Sequence, residues 1–250
     1  TGTGVYLSGG DGNLDILNST ITNHGGAGVL ITNWTTTVPT DRILVGTLND
    51  GTSTISGNMT FANLGFALDL PGATSRMIVT DQTLSDGVSG IAARVAGIGT
   101  TFDIDVIDNI EINRNLNDGV RLLANDSATI NALIRNTDPD NPLQIIDNAL
   151  GDGAGILLVA DGPNGQPEAR INALVNNVEI SNSLSRIVRP GIGDLIVPTA
   201  GISLLSRRNA VVNVTATNST SGVANLANGR DTPTGVQMSY SNSGSTLINR

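Results

Sequence analysis

In the segment TFDIDVIDN, Asp103, Asp105 and Asp108 come closest to a chemical constellation. Two positions apart in an alternating run, Asp103 and Asp105 project from one face of a strand, where they could hold a divalent cation or act as paired carboxylates. Calcium bound there would need oxygen ligands at about 2.3–2.6 Å, with further ligands from a neighbouring stretch of chain. A solvated strand face accounts for the same spacing and is the preferred reading. No cofactor is expected, and calcium is a possible ion at these three metal candidates.

Arg186, Arg189, Arg207 and Arg208 form the main basic concentration. They flank RIVRPGIGDLIVPTAG, read as an inserted loop bounded by Pro190 and Pro198. An arginine here could bind a sugar or serve catalysis. The preferred account is that these side chains offset an acidic surface and cover apolar edges with their stems. Trp34, in ITNWTTTVPTD, is assigned to a first inserted loop, where its ring could stack on a sugar or cover a core edge. Trp34, Arg186 and Arg189 are therefore the ligand candidates. Asp118, Asp138, Asp140, Asp152 and Asp161 stand in NDG, TDPDNP, GDG and DGPNG, which are turn sequences before they are calcium loops.

Several chemistries are excluded. His24, in the turn TNHGG, is the single histidine, and cysteine is absent. A His-rich metal centre, thiolate chemistry and disulfides fall away, and no convincing Ser-His-Asp set exists. The glycines of GGDG and GDGAG lack the lysine and helix that a phosphate-binding loop requires. No catalytic residue is assigned. With a formal charge of −9, the chain is a poor partner for nucleic acid. No run approaches the roughly 20 apolar residues of a membrane-spanning helix. The opening Thr-Gly-Thr-Gly, without an initiator Met or signal peptide, reads as a processed or excised segment. Sequons at Asn18, Asn33, Asn58, Asn125, Asn213 and Asn218 would matter only in a glycosylating secretory pathway.

The elements that must carry these residues follow from a recurring pattern: an alternating apolar run, an Asn-centred turn, a glycine corner and a second apolar run. It is plainest in FDIDVIDNIEINRNLNDGVRLL and returns in LDILNSTITNHGGAGVLI and IIDNALGDGAGILLV. Aromatic residues are only 2% of the chain, so its core must be built from Val, Ile, Leu and Ala. The corner glycines Gly4, Gly28, Gly65, Gly90, Gly119, Gly155, Gly201 and Gly222 recur at the 20–50-residue intervals of a solenoid, the longer ones carrying insertions. Asn115 and Asn148 join them as corner and stacking positions. In register from turn to turn, such amides can form ladders. Helices are disfavoured by the Val, Ile, Thr, Asn and Gly content. A β-sandwich is the rival, but repetition of one corner favours stacked turns.

The stretches INRNLNDGVRLL, NALGDGAGILLV, ISNSLSRI and ITNHGGAGVLI resemble the turns of right-handed parallel β-helix repeat proteins of the pectate-lyase-like superfamily, which includes bacterial surface proteins. The expectation is an all-β, right-handed parallel β-helix of about nine rungs with inserted loops. It would occupy residues 1–250 as one segment, uncapped at both ends. The resemblance implies an extracellular or cell-surface structural or adhesive scaffold. It would stack end to end in a filament or form part of a longer protein, and a glycan is a further partner. The alternative it implies is a calcium-dependent polysaccharide lyase or glycoside hydrolase. Such an enzyme needs a groove lined by aspartates and an Arg or Lys from adjacent turns.

Overall fold

The structure is a computed structural model that describes residues 2–47, 53–59, 61–148, 153–163, 167–181, 184–189, 193–198, 201–217, 219–221, 224–228, 235–241 and 247–249. Side chains are described within these ranges up to residue 181, over 201–217 and at 219.

Strands visit three sheets in rotation. Val5–Asp11 belongs to the first sheet, Leu14–Leu17 to the second and Thr20–Thr22 to the third, and Val29–Thr35 then returns to the first. Every pairing within these sheets of nine, eight and seven strands is parallel. Chain that returns at each turn to lie beside its own previous turn is a β-solenoid. The antiparallel hairpins of a sandwich are absent from these three sheets.

Side-chain alternation explains the strands. In Thr101–Ile107, Phe102, Ile104 and Val106 are buried while Thr101, Asp103, Asp105 and Ile107 are half-exposed. A strand of this period has one dry face. In-register pairing then stacks like on like. Ile156 lies beside Val120 on one side and Ile202 on the other, and Ile112 lies between Leu84 and Ile145 in the third sheet. These residues share one continuous core, in which the Phe66 and Phe102 rings stack with centroids 4.2 Å apart.

Bends after the third-sheet strands use left-handed backbone at matching positions: Asn23, Gly57, Asp86, Arg114 and Asp147 have φ between 50° and 66°. Asn and Asp tolerate this region better than most residues. The other corner, just before each first-sheet strand, is crowded. A Cβ on Gly119 would lie 2.6 Å from the Gly155 carbonyl oxygen and 2.6 Å from Ile145 Cγ2, and Gly90 is hemmed in likewise by the Gly119 carbonyl and Ile112. Gly28, Gly155 and Gly201 occupy the same corner, immediately before Val29, Ile156 and Ile202.

Three sequence expectations require correction. Gly65 is not at this corner; it lies inside Leu64–Asp69 beside the Phe61 ring, and Asn63 holds the corner position. Trp34 is not in an inserted loop, because Val29–Thr35 is a first-sheet strand, and residues 32–53, the extent expected for that loop, contain the buried second-sheet strand Ile43–Gly46. The insertion around Pro190 is an antiparallel hairpin, Leu184–Arg189 with Gly193–Pro198. Gly222 lies outside the described residues.

Candidate functional site

The second sheet turns a strip of outward side chains toward a groove of ≈ 770 Å³. Register builds the strip. Arg76, Asp103, Asn131, Asn172 and Asn213 occupy one column on successive strands, and Asp105, Leu133, Leu174 and Thr215 occupy the column two residues further on. The segment 36–41, which connects the first-sheet strand to the second-sheet strand of its coil, forms a wall with Thr36, Val38 and Pro39.

Polar groups of the strip are tied from coil to coil. Arg76 Nη2 donates to Asp105 Oδ2 at 3.0 Å. Asn213 Nδ2 donates to Asn172 Oδ1 at 3.0 Å, Asn172 Nδ2 to Asn131 Oδ1 at 2.9 Å, and Asn131 Nδ2 to Asp103 Oδ1 at 2.8 Å. This ladder has a direction and ends on a carboxylate. Asp103 and Asp105 thus share a face, whereas Asp108 sits at a left-handed bend and accepts from the Thr137 backbone N–H at 2.8 Å and hydroxyl at 2.7 Å. Among the described residues, no three His, Asp or Glu side chains gather in a group able to hold a metal ion.

A second ladder is internal. Asn58 Nδ2 donates to Asn63 Oδ1 at 2.8 Å, Asn63 Nδ2 to Asn115 Oδ1 at 3.0 Å and Asn115 Nδ2 to Asn148 Oδ1 at 2.8 Å. Asn148 Nδ2 completes the run on the Ile112 carbonyl at 2.7 Å. All four asparagines are fully buried. An amide placed there without partners would cost about 1–3 kcal/mol, so the ladder is a condition of the packing. The sequon asparagine Asn58 is locked inside it, and Asn213 is engaged in the outer ladder.

The remaining candidates separate. Trp34 is half-buried against the core, with its ring over Gly10 and Nε1–H donating to the Gly12 carbonyl at 3.0 Å. Arg186 and Arg189 lie on the hairpin strand Leu184–Arg189, and their side chains are outside the described residues. Arg208 pairs with Asp161 across 2.7 Å. Arg114 grips Asp86 with two bonds, Nε to Oδ1 at 2.8 Å and Nη2 to Oδ2 at 2.7 Å, and the guanidinium holds the Asp86 carboxyl below its ordinary range. Asp118 is the opposite case. Burial pushes its carboxyl up, against a lowering hydrogen bond from the Ala154 N–H at 2.8 Å.

What could the groove do chemically? The chain has no lysine, and a guanidinium does not deprotonate in water, so a proton acceptor would have to be Asp41, Asp103 or Asp105. Arg76, Asn131, Asn172 and Asn213 escaped the sequence reading. Their only signal is register, with partners 28, 41 and 41 residues apart along the chain. Among the described residues no helix is long and apolar enough to cross a membrane. No protein-family model, curated protein or solved structure matches the chain.

Proposed function

We propose that this chain is an extracellular structural or adhesive scaffold, a right-handed β-helix segment supplying stiffness and a long polar surface. The handedness follows from the strong preference of parallel crossovers for that sense. One observation carries the functional reading: charged and amide side chains are spent on joining successive coils. Arg76 to Asp105, Arg114 to Asp86, Asp103 to Asn131 and Thr137 to Asp108 each bridge neighbouring coils. Catalytic carboxylates need freedom to exchange protons with a substrate. Carboxylates that staple coils resist sliding and unzipping of the stack. Continuation of the ladder, within a longer protein or by end-to-end association, suits the same role.

The groove favours a second reading, a polysaccharide lyase or glycoside hydrolase, because Arg76, Asp103 and Asp105 come from adjacent coils, as that class requires. Incubation of the protein with acidic and neutral polysaccharides, with and without calcium, separates the two. The scaffold reading expects chain lengths to stay unchanged. New reducing or unsaturated ends that vanish in Asp103→Asn would replace it with the enzyme. Electron microscopy at high concentration tests end-to-end association, which discrete short particles alone would refute.

A further inference from the structure

We infer that the turn between Thr129–Arg135 and Leu143–Ile146 is a self-cleavage site, at which the chain hydrolyses its own Asp138–Pro139 bond. None of the groove residues belongs to it, so it stands apart from both readings of the groove.

Three groups meet at this bond. The nucleophile is the Asp138 carboxylate. Its Oδ1 accepts from the Asp140 N–H at 3.0 Å, and the Asp138 N–H donates to Asn136 Oδ1 at 3.0 Å. The carboxylate is thereby turned toward the chain that follows it and toward its own carbonyl carbon. The second group polarises that carbonyl. Its oxygen accepts from Asn177 Nδ2 at 2.5 Å and from the Asn141 N–H at 3.3 Å. Two donors stand where negative charge develops when the carbon is attacked, the arrangement that stabilises tetrahedral intermediates of acyl transfer. Asn177 comes from the next coil, with left-handed backbone at φ 56°, and it also reaches the Asn136 carbonyl at 3.4 Å. The third is the leaving group. Pro139 has no N–H, so it cannot attack the Asp138 side chain to form a succinimide, and its tertiary amide nitrogen takes a proton more readily than a secondary one.

In the step itself, an Asp138 carboxylate oxygen forms a bond to the Asp138 carbonyl carbon and closes a five-membered anhydride. The bond from that carbon to the Pro139 nitrogen breaks, and the nitrogen takes a proton from solvent and leaves as a secondary amine. Water then opens the anhydride to two carboxyl groups. Asp138 and Pro139 are both exposed, so water and its protons reach them. Arg135, Asp108 and Asp140 are the charged groups adjoining the turn, Asp108 through its bonds to Thr137. Pairing of Thr129–Arg135 with Ala169–Asn176 and of Glu111–Asn113 with Leu143–Ile146 spans the break, so the cut coil stays in the stack.

Intact mass spectrometry of the full chain, denatured after incubation in mildly acidic buffer, tests the inference. Fragments 1–138 and 139–250 are expected to accumulate at least about tenfold faster from the folded chain than in urea, where the carbonyl loses Asn177. Asn177→Gly keeps the left-handed bend and its backbone bonds, and should slow cleavage at least about tenfold. Asp138→Ala, at an exposed position, should abolish it, and the Asn141–Pro142 bond of the parent should stay whole. A chain that stays intact overturns the inference, as do equal rates in the folded and urea-unfolded chain or equal cleavage at Asn141–Pro142. Undiminished cleavage in Asn177→Gly or Asp138→Ala does the same.

Discussion

A Cβ on Gly87 would lie 2.7 Å from Asn63 Oδ1, because the Asn63 amide fills the space where the equivalent residue of other coils carries its own asparagine. In the coils ending at Asn115 and Asn148, glycine holds the corner before the first-sheet strand (Gly90, Gly119), and asparagine stands two residues after the third-sheet strand. In the coil between Asn63 and Gly87 the two types are exchanged. The internal ladder survives because Asn63 reaches from the opposite corner to bond both Asn58 and Asn115.

The exchange implies strong coupling between these sites. Gly87→Asn alone forces two amides into one slot, and Asn63→Gly alone takes the acceptor from Asn58 Nδ2 and a donor from Asn115 Oδ1; each should lose about 2–4 kcal/mol. The double variant restores the arrangement of neighbouring coils and should return to within about 1 kcal/mol of the parent. Urea unfolding of the four proteins measures the cycle. Simple addition of the two losses would mean that the positions are not exchanging roles.

Asn115 has its amide fully used. It donates to Asn148 Oδ1 and the Leu84 carbonyl, and accepts from Asn63 Nδ2 and the Gly87 N–H. Asn115→Leu, similar in size, would break four buried hydrogen bonds and should cost about 3 kcal/mol or more. Asn141→Leu, at an exposed position, should change stability by no more than about 0.5 kcal/mol. Equal losses for the two would remove the ladder from any account of stability.

Much of the architecture was readable before any coordinates, and its readable part was local. Alternation in FDIDVI and the glycines preceding Val29, Ile91, Val120, Ile156 and Ile202 each depend on residues a few positions apart. Gly65 misled because the coil it belongs to had moved its glycine to position 87, so alignment on the nearest glycine selected one inside a strand. The strand Ile43–Gly46 was hidden by its four-residue length and by Pro39 just before it. Of the groove, only the shared face of Asp103 and Asp105 could be read. Its amides belong to different repeats separated by insertions of unequal length, and only the coil register brings Asn131, Asn172 and Asn213 into line.

Trp34 is the only tryptophan, which makes its contact with Gly10 directly observable. A Cβ at Gly10 would come within 2.6 Å of the ring. Gly10→Val should push the indole outward, break the Nε1–H bond to the Gly12 carbonyl and shift fluorescence emission to the red. The first coil should loosen with it, while the stacked Phe66 and Phe102, in later coils, stay in place. Emission unchanged from the parent would show that the ring does not rest on Gly10.

Asp118 and Asp86 should give stability opposite dependences on pH. Asp118 is 2% exposed and its carboxyl is raised by burial, so the folded chain holds that proton more tightly than the unfolded chain. Its contribution is therefore fully present below the unfolded value near pH 4 and is lost as pH rises through the higher folded value. Asp86, lowered by Arg114, contributes above the unfolded value and loses that contribution as pH falls through its lower folded one. Asp118→Asn keeps an acceptor for the Ala154 N–H but cannot ionise. Its melting temperature relative to the parent should climb as pH goes from about 4 to about 7, while the deficit of Asp86→Asn relative to the parent should shrink as pH is taken below about 4. Parallel curves for Asp118→Asn and the parent would mean that this carboxylate is ionised at no cost in the folded chain, which its burial with a single hydrogen bond does not allow.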